Sequence, residues 1–155
     1  QENRLSLEDP VTKFFPALGK RYSGVNIRHL LSHTAGVADV TSFKEFLYSK
    51  NYGTDGMIEL ILTREPDFAP GSAYNYSNSN YALMGLILEK VSGTSLRFLL
   101  RDRLFNPLGM FRSFVYRDYE DVSDVAVGYR FADGKFVKSG TKRPIELDGS
   151  GSVVS

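Results

Sequence analysis

Cysteine is absent from the 155 residues, which excludes disulfides and thiolate chemistry and leaves the redox compartment open. An excess of charge of either sign is missing too. The 19 Lys and Arg stand against 18 Asp and Glu, a net charge of +1, interleaved without a block of like charge. Nucleic acid and an anionic membrane surface are therefore not expected partners. Long apolar runs are also lacking: Ala82 to Leu88, with Gly85 inside, is far too short to span a bilayer. No internal repeat, low-complexity tract or signal-peptide pattern is seen. The chain opens on Gln1 rather than Met and stops at Ser155 without a closing element, which reads as a processed product or a piece of something larger.

What remains is an ordinary globular composition, 42% apolar and 24% charged, with enough material for one core. The pattern is helical for the first two thirds. Around Leu5 to Pro10, Ser6 or Asp9 can cap a helix and Pro10 suits its first turn. Asn26 can cap a short helix over Ile27 to Ser32, ended by Gly36. Ser42 opens another, with Phe43, Phe46 and Leu47 at helical spacing. A further helix runs from about Asp55 to Arg64, carrying Met57, Ile58, Ile61 and Leu62. Pro66 and Pro70 then force an irregular segment. The strongest helix spans about Ser79 to Ser92, its stripe formed by Tyr81, Leu83, Met84, Ile87, Leu88 and Val91, with Gly93 as its stop. One more starts near Ser95, with Leu96, Leu99, Leu100 and Leu104 facing inward, and ends at Asn106-Pro107. From Ser113 the pattern becomes strand-like, and Asp133-Gly134 marks a two-residue hairpin turn within Gly128 to Val137. The expected fold class is thus mainly α with a C-terminal β-hairpin. It reads as a single helical domain over 1–155, with a strand-like return from about 113 to 155.

One short stretch carries chemistry. In Tyr76-Ser77-Asn78, a phenol and a carboxamide lie two positions apart where a Gly/Ser-rich loop meets a helix, so both can face one cleft. The phenol can carry a proton, and the carboxamide can hold a substrate amide through one donor and one acceptor.

Four ordered motifs place this stretch in context. They are Arg4 to Val11 (RLSLEDPV), Ile27 to Gly36 (IRHLLSHTAG), Tyr74 to Tyr81 (YNYSNSNY) and Phe105 to Met110 (FNPLGM). Together they resemble the class C β-lactamase-like serine hydrolases, a superfamily that also holds penicillin-binding proteins, D-aminopeptidases and esterases. The resemblance covers nearly the whole chain. It implies the helical domain of an α/β serine β-lactamase/transpeptidase-like fold, and a serine that attacks a carbonyl to form an acyl-enzyme. Three motifs serve that chemistry: Ser-x-x-Lys at a helix start, Tyr-x-Asn on a loop, and Lys-Thr-Gly or a His variant on a strand. By the resemblance, Tyr76 is the catalytic base or proton relay, its pKa lowered from about 10 by two flanking lysines. Asn78 would bind the substrate's amide side chain, and Ser77 between them has no assigned role. No cofactor or metal is implied. The substrate would be a small amide, ester or peptide, and the location a bacterial periplasm, cell envelope or secretion.

The chain departs from that pattern in lacking the nucleophile motif ahead of Arg4 and the strand motif after Ser155. A local match, Ser139-Gly140-Thr141-Lys142, overlaps Lys138-Ser139-Gly140. Serine and lysine need a helical turn to meet on one face, and Gly140 with Pro144 argues for an exposed turn instead. The expectation is therefore a piece that supplies one wall of the cleft and is inactive alone, and that self-associates through apolar faces left without their sheet.

Other residues take plainer readings. His33 reads as a helix C-terminus whose imidazole bonds local backbone rather than as a general base. His29, four residues earlier, packs or meets solvent, and no carboxylate completes a metal set with the two. Tyr74 and Tyr81 flank the motif and can line a cleft. Gly149-Ser150-Gly151-Ser152 reads as a flexible connection, lacking the context of a phosphate cradle or nucleophile elbow. Two rival functions remain: a non-catalytic helical interaction module in which Ser77 or Asn78 merely caps a helix, and a relative that binds peptidoglycan-like ligands without cleaving them.

Overall fold

A computed structural model describes residues 4–47, 50, 52–115, 126–138 and 151–155. Its first helix, α1 (Val11–Phe14), is a single turn that buries Val11 and Phe14. Pro10 sits at the N-cap rather than inside the helix, and neither Ser6 nor Asp9 caps it. The Asp9 carboxylate instead accepts from Ser6 N–H at 2.9 Å and from Lys13 Nζ at 2.9 Å, while Ser6 Oγ accepts from Glu8 N–H. The Lys13 ammonium, then the Ser6 N–H, hold the Asp9 carboxyl below the usual carboxylate range. Two 3₁₀ turns, Pro16–Leu18 and Lys20–Tyr22, lead to α2 (Ile27–Leu31).

Helix α2 starts where expected and for the expected reason. Asn26 Oδ1 accepts from His29 N–H at 3.0 Å, and His29 Nδ1 accepts from Asn26 N–H at 3.3 Å. The capping box thus uses a histidine where Glu or Gln is usual. The helix stops before Gly36, because His33 already takes a left-handed φ of 55°.

The helix expected from Ser42 is replaced by a 3₁₀ turn, Val40–Ser42. Asp39 accepts from Thr41 N–H (3.0 Å) and Thr41 Oγ1 (2.9 Å), and Ser42 Oγ donates back to the Asp39 carbonyl. These local side-chain bonds compete with helix propagation, and Phe43 turns extended. Helix α3 (Gly53–Leu62) buries Met57, Ile58, Leu60 and Ile61.

Helix α4 (Asn78–Ser92) is the longest element, closed by Gly93 at φ 74°. It packs on α2 and on the Val40–Ser42 turn, and its Leu83 and Ile87 are buried with Leu30, Val40, Val11 and Leu18 in one core. Each such side chain contributes about 1.5–3 kcal/mol on burial. Lys90 reaches from α4 to α1, donating to the Phe14 carbonyl at 2.6 Å.

Helix α5 (Leu96–Leu100) continues into a wider π turn over Arg101–Phe105. The extra residue in that turn rotates the inward face by one position. Phe105 is therefore buried, and Leu104, expected to face inward, is 43% exposed.

The strands form two separate antiparallel pairs among the described residues. β1 (Phe114–Val115) pairs with the last strand, β4 (Val153–Val154), and β2 (Tyr129–Ala132) pairs with β3 (Lys135–Lys138). Asp133 and Gly134 join β2 to β3 with φ of 51° and 75°, the doubly left-handed turn the sequence predicts. The Ser139 to Lys142 segment and Gly149-Ser150 lie outside the described residues. No described helix is long and apolar enough to cross a membrane.

One core residue invites a test. The Tyr22 hydroxyl is buried without a hydrogen-bond partner among the described residues, and burial pushes its pKa up. An unsatisfied buried hydroxyl costs about 1–3 kcal/mol. Tyr22→Phe should therefore raise the unfolding free energy by about 1 kcal/mol in urea titrations. A clear loss of stability would mean that the hydroxyl has a partner.

Candidate active site

Tyr76 sits at the end of the irregular segment that follows α3, and that segment is held along the stretch after α2. Asp67 N–H donates to the Gly36 carbonyl (2.8 Å), Gly71 N–H to Thr34 (2.8 Å) and Asn75 N–H to His33 (3.0 Å). The contact is close because residue 36 has no side chain: a Cβ there would lie 2.1 Å from the Phe68 carbonyl oxygen. Gly36, expected to stop a helix, is instead the seat of this loop.

The Tyr76 ring lies outside the core, 55% exposed. Its hydroxyl donates to Asn78 Oδ1 at 3.3 Å. Asn78 Nδ2 donates in turn to Asp39 Oδ2 (2.9 Å) and stands 3.4 Å from Thr41 Oγ1. The two residues that the sequence singles out are thus brought together, with Asp39 and Thr41 behind them. Both N–H groups of the carboxamide are thus engaged, and its oxygen keeps a second lone pair. Ser77 occupies the N-cap of α4, but its buried hydroxyl makes no capping bond and has no partner among the described residues.

His33 is the member that sequence reasoning placed wrongly. Its imidazole does not bond local backbone: Nδ1 accepts from Ser77 N–H at 3.3 Å, 44 residues away. The same nitrogen lies 3.2 Å from Asn80 Nδ2. The ring lies 4.5 Å from the Tyr76 ring and stacks on Tyr81 at 5.1 Å, while Tyr74 meets it edge-on at 6.1 Å. Its place in the second motif was the available signal; spacing could not reveal a partner so distant in the chain. Asp39 and Thr41 carried no signal. No group of three or more His, Cys, Asp or Glu fit to hold a metal occurs among the described residues.

A solvent-facing phenol, fixed on both flanks and hydrogen-bonded to a carboxamide, can accept or donate a proton at the lip of the helical layer. The Beta-lactamase family model matches residues 1–155. The chain belongs to this family. Protein flp of Staphylococcus aureus is 34% identical over 161 residues, covering all of this chain and 29% of flp. A D-stereospecific amidohydrolase from Streptomyces sp. superposes with a TM-score of 0.81 at 26% identity, covering 98% of this chain and 50% of that one. A D-amino acid amidase from Ochrobactrum anthropi SV3, complexed with D-phenylalanine, gives 0.80 at 25% identity, covering 99% and 46%. This Beta-lactamase-family chain therefore has the relationships of a serine hydrolase and spans half or less of these relatives. Its helices and short antiparallel strand pairs are part of a β-lactamase-like fold.

Proposed function

We propose that the chain is the helical domain of a serine acyl hydrolase that works through an acyl-enzyme, with the attacking serine outside these 155 residues. Tyr76 is the base or proton relay, and Asn78 holds the amide side of the substrate. The observation that carries this reading is the Tyr76 hydroxyl, exposed and bonded to Asn78, on a loop whose flanking N–H groups are both held by His33. The reading places the nucleophile that the phenol would activate outside these residues. The chain by itself is then inactive. Phe111, Phe131 and Phe136, all widely exposed, are faces that the remaining sheet would cover and that favour self-association in its absence. The substrate class is a small amide, peptide or ester, in keeping with the amidohydrolase and amidase neighbours. A periplasmic, cell-envelope or secreted location goes with this reading.

The test compares the 155-residue chain with the whole protein that carries it, on a nitrophenyl ester, a D-amino acid amide and a chromogenic cephalosporin. The whole protein should turn over at least one and acquire the mass of a bound acyl group, and the chain should do neither. Turnover by the chain that vanishes in Tyr76→Phe but survives active-site serine reagents would overturn the proposal.

A further inference from the structure

The geometry points to His33 as the positioning residue for Tyr76, acting through a neutral imidazole whose Nδ1 lone pair holds the Tyr76–Asn78 turn in register. This rests on the acyl-hydrolase reading and names the group on which that site depends. Three observations converge on one residue. The His33 carbonyl accepts from Asn75 N–H at 3.0 Å, and its Nδ1 accepts from Ser77 N–H at 3.3 Å, so the residues on either side of Tyr76 are held by the same histidine. Its ring supports the Tyr76 ring from 4.5 Å.

Its backbone makes this possible. At φ 55°, residue 33 leaves the axis of α2 and turns its carbonyl and imidazole toward the same strip of chain. Few side chains tolerate that conformation, with Asn and His among those enriched there.

The hydrogen-bond count fixes the protonation state. A backbone N–H can only donate, so Nδ1 must carry a lone pair toward Ser77, and the ring proton must sit on Nε2. Asn80 then has to offer its NH₂ group to Nδ1, at 3.2 Å. That choice strands Asn80 Oδ1, which is indeed buried without a partner among the described residues. A proton on Nδ1 would satisfy a flipped Asn80 but leave Ser77 N–H without its acceptor, releasing one flank of Tyr76. The orphaned carbonyl is thus the consequence of holding Ser77.

The experiment uses the whole protein with ¹⁵N-labelled histidine. At neutral pH the His33 imidazole should show the Nε2–H tautomer; an Nδ1–H or doubly protonated ring would overturn the inference, whatever the activity assays show. Two variants that both tolerate φ 55° then separate the roles. His33→Asn places a carbonyl oxygen where Nδ1 stood, and His33→Gly removes the acceptor. Misplacing a reacting group by an ångström can cost about 10²-fold in rate. The Gly variant should therefore lose roughly 10²-fold in kcat with KM little changed, and the Asn variant less than about tenfold. Equal kcat in the two variants, or wild-type kcat in Gly, would overturn the assignment. If Tyr76→Phe is also without effect, the acyl-hydrolase reading fails, and the tautomer measurement still decides the fate of His33. A severe Tyr76→Phe defect beside an unaffected His33→Gly protein would remove only the positioning role.

Discussion

Tyr76→Phe in the whole protein should lower kcat by roughly 10²–10⁴-fold, the usual contribution of a positioned acid or base, while leaving the fold intact. The ring is 55% exposed and keeps its contact with His33 after the change. The only group lost is a hydroxyl bonded at 3.3 Å to Asn78, near solvent, where such a bond contributes about 1 kcal/mol or less. Stability and activity therefore separate. If the phenol activates the nucleophile, acylation slows and KM for a poor ester changes little. If the chain is only an interaction module, the variant behaves as wild type, because the Ser77 N-cap and the core beneath it are untouched. Pre-steady-state acylation by a nitrophenyl ester distinguishes the two. An unchanged acylation rate would dismiss Tyr76 as the base.

Gly36→Ala should be among the most destabilising single-methyl additions available. Two costs coincide there. At φ 71° a Cβ is itself strained, by about 1–2 kcal/mol. The added carbon would also stand 2.1 Å from the Phe68 oxygen, 3.1 Å from its carbonyl carbon and 3.3 Å from its nitrogen. Those are backbone atoms, so no side-chain rotation relieves the clash. Relief requires the loop to lift, which breaks the Asp67 N–H bond to the Gly36 carbonyl and loosens the neighbouring bonds from Gly71 and Asn75. A loss on the order of 3 kcal/mol follows, equivalent to about 6–12 °C in Tm for a chain of this size. Gly56→Ala is the internal control. It lies within α3, where the new Cβ meets only Tyr52 carbons at 3.5 and 3.7 Å, in ordinary contact. Replacing a mid-helix glycine should add about 0.5–1 kcal/mol. The two substitutions add the same methyl group and should move Tm in opposite directions. Limited proteolysis adds a local readout, with cleavage of Gly36→Ala concentrated between Pro66 and Tyr76. A Tm for Gly36→Ala equal to wild type would show that the loop is not seated there.

The same glycine shows where reading residues in order stops working. Gly36 resembles a helix stop, and the dihedral preference behind that reading is real; the chain spends it on the close passage of Phe68. The distinction depends on a segment thirty residues downstream. Asn26, Gly93 and Asp133-Gly134, by contrast, behave as their immediate neighbours dictate: a cap, a left-handed stop and a hairpin turn. Each is settled by φ, ψ and hydrogen bonds within about four residues. The helix expected from Ser42 fails because Asp39, just upstream, offers its carboxylate to Thr41. The inward face expected at Leu104 fails because a π turn inserts one residue into the periodicity.

For the candidate site, local spacing was enough to point to Tyr76 and Asn78, because they are close together in the chain and chemically distinctive, and motif order suggested the family. His33, Asp39 and Thr41 enter it only through folding. A hydrogen bond across 44 residues leaves no periodicity to detect, and a histidine with a left-handed backbone resembles any other. Local sequence set the caps, turns and helical stripes, since their energies are decided among near neighbours. Packing α2 against α4 decided which polar atoms would meet at Tyr76, since that depends on how two buried faces cross.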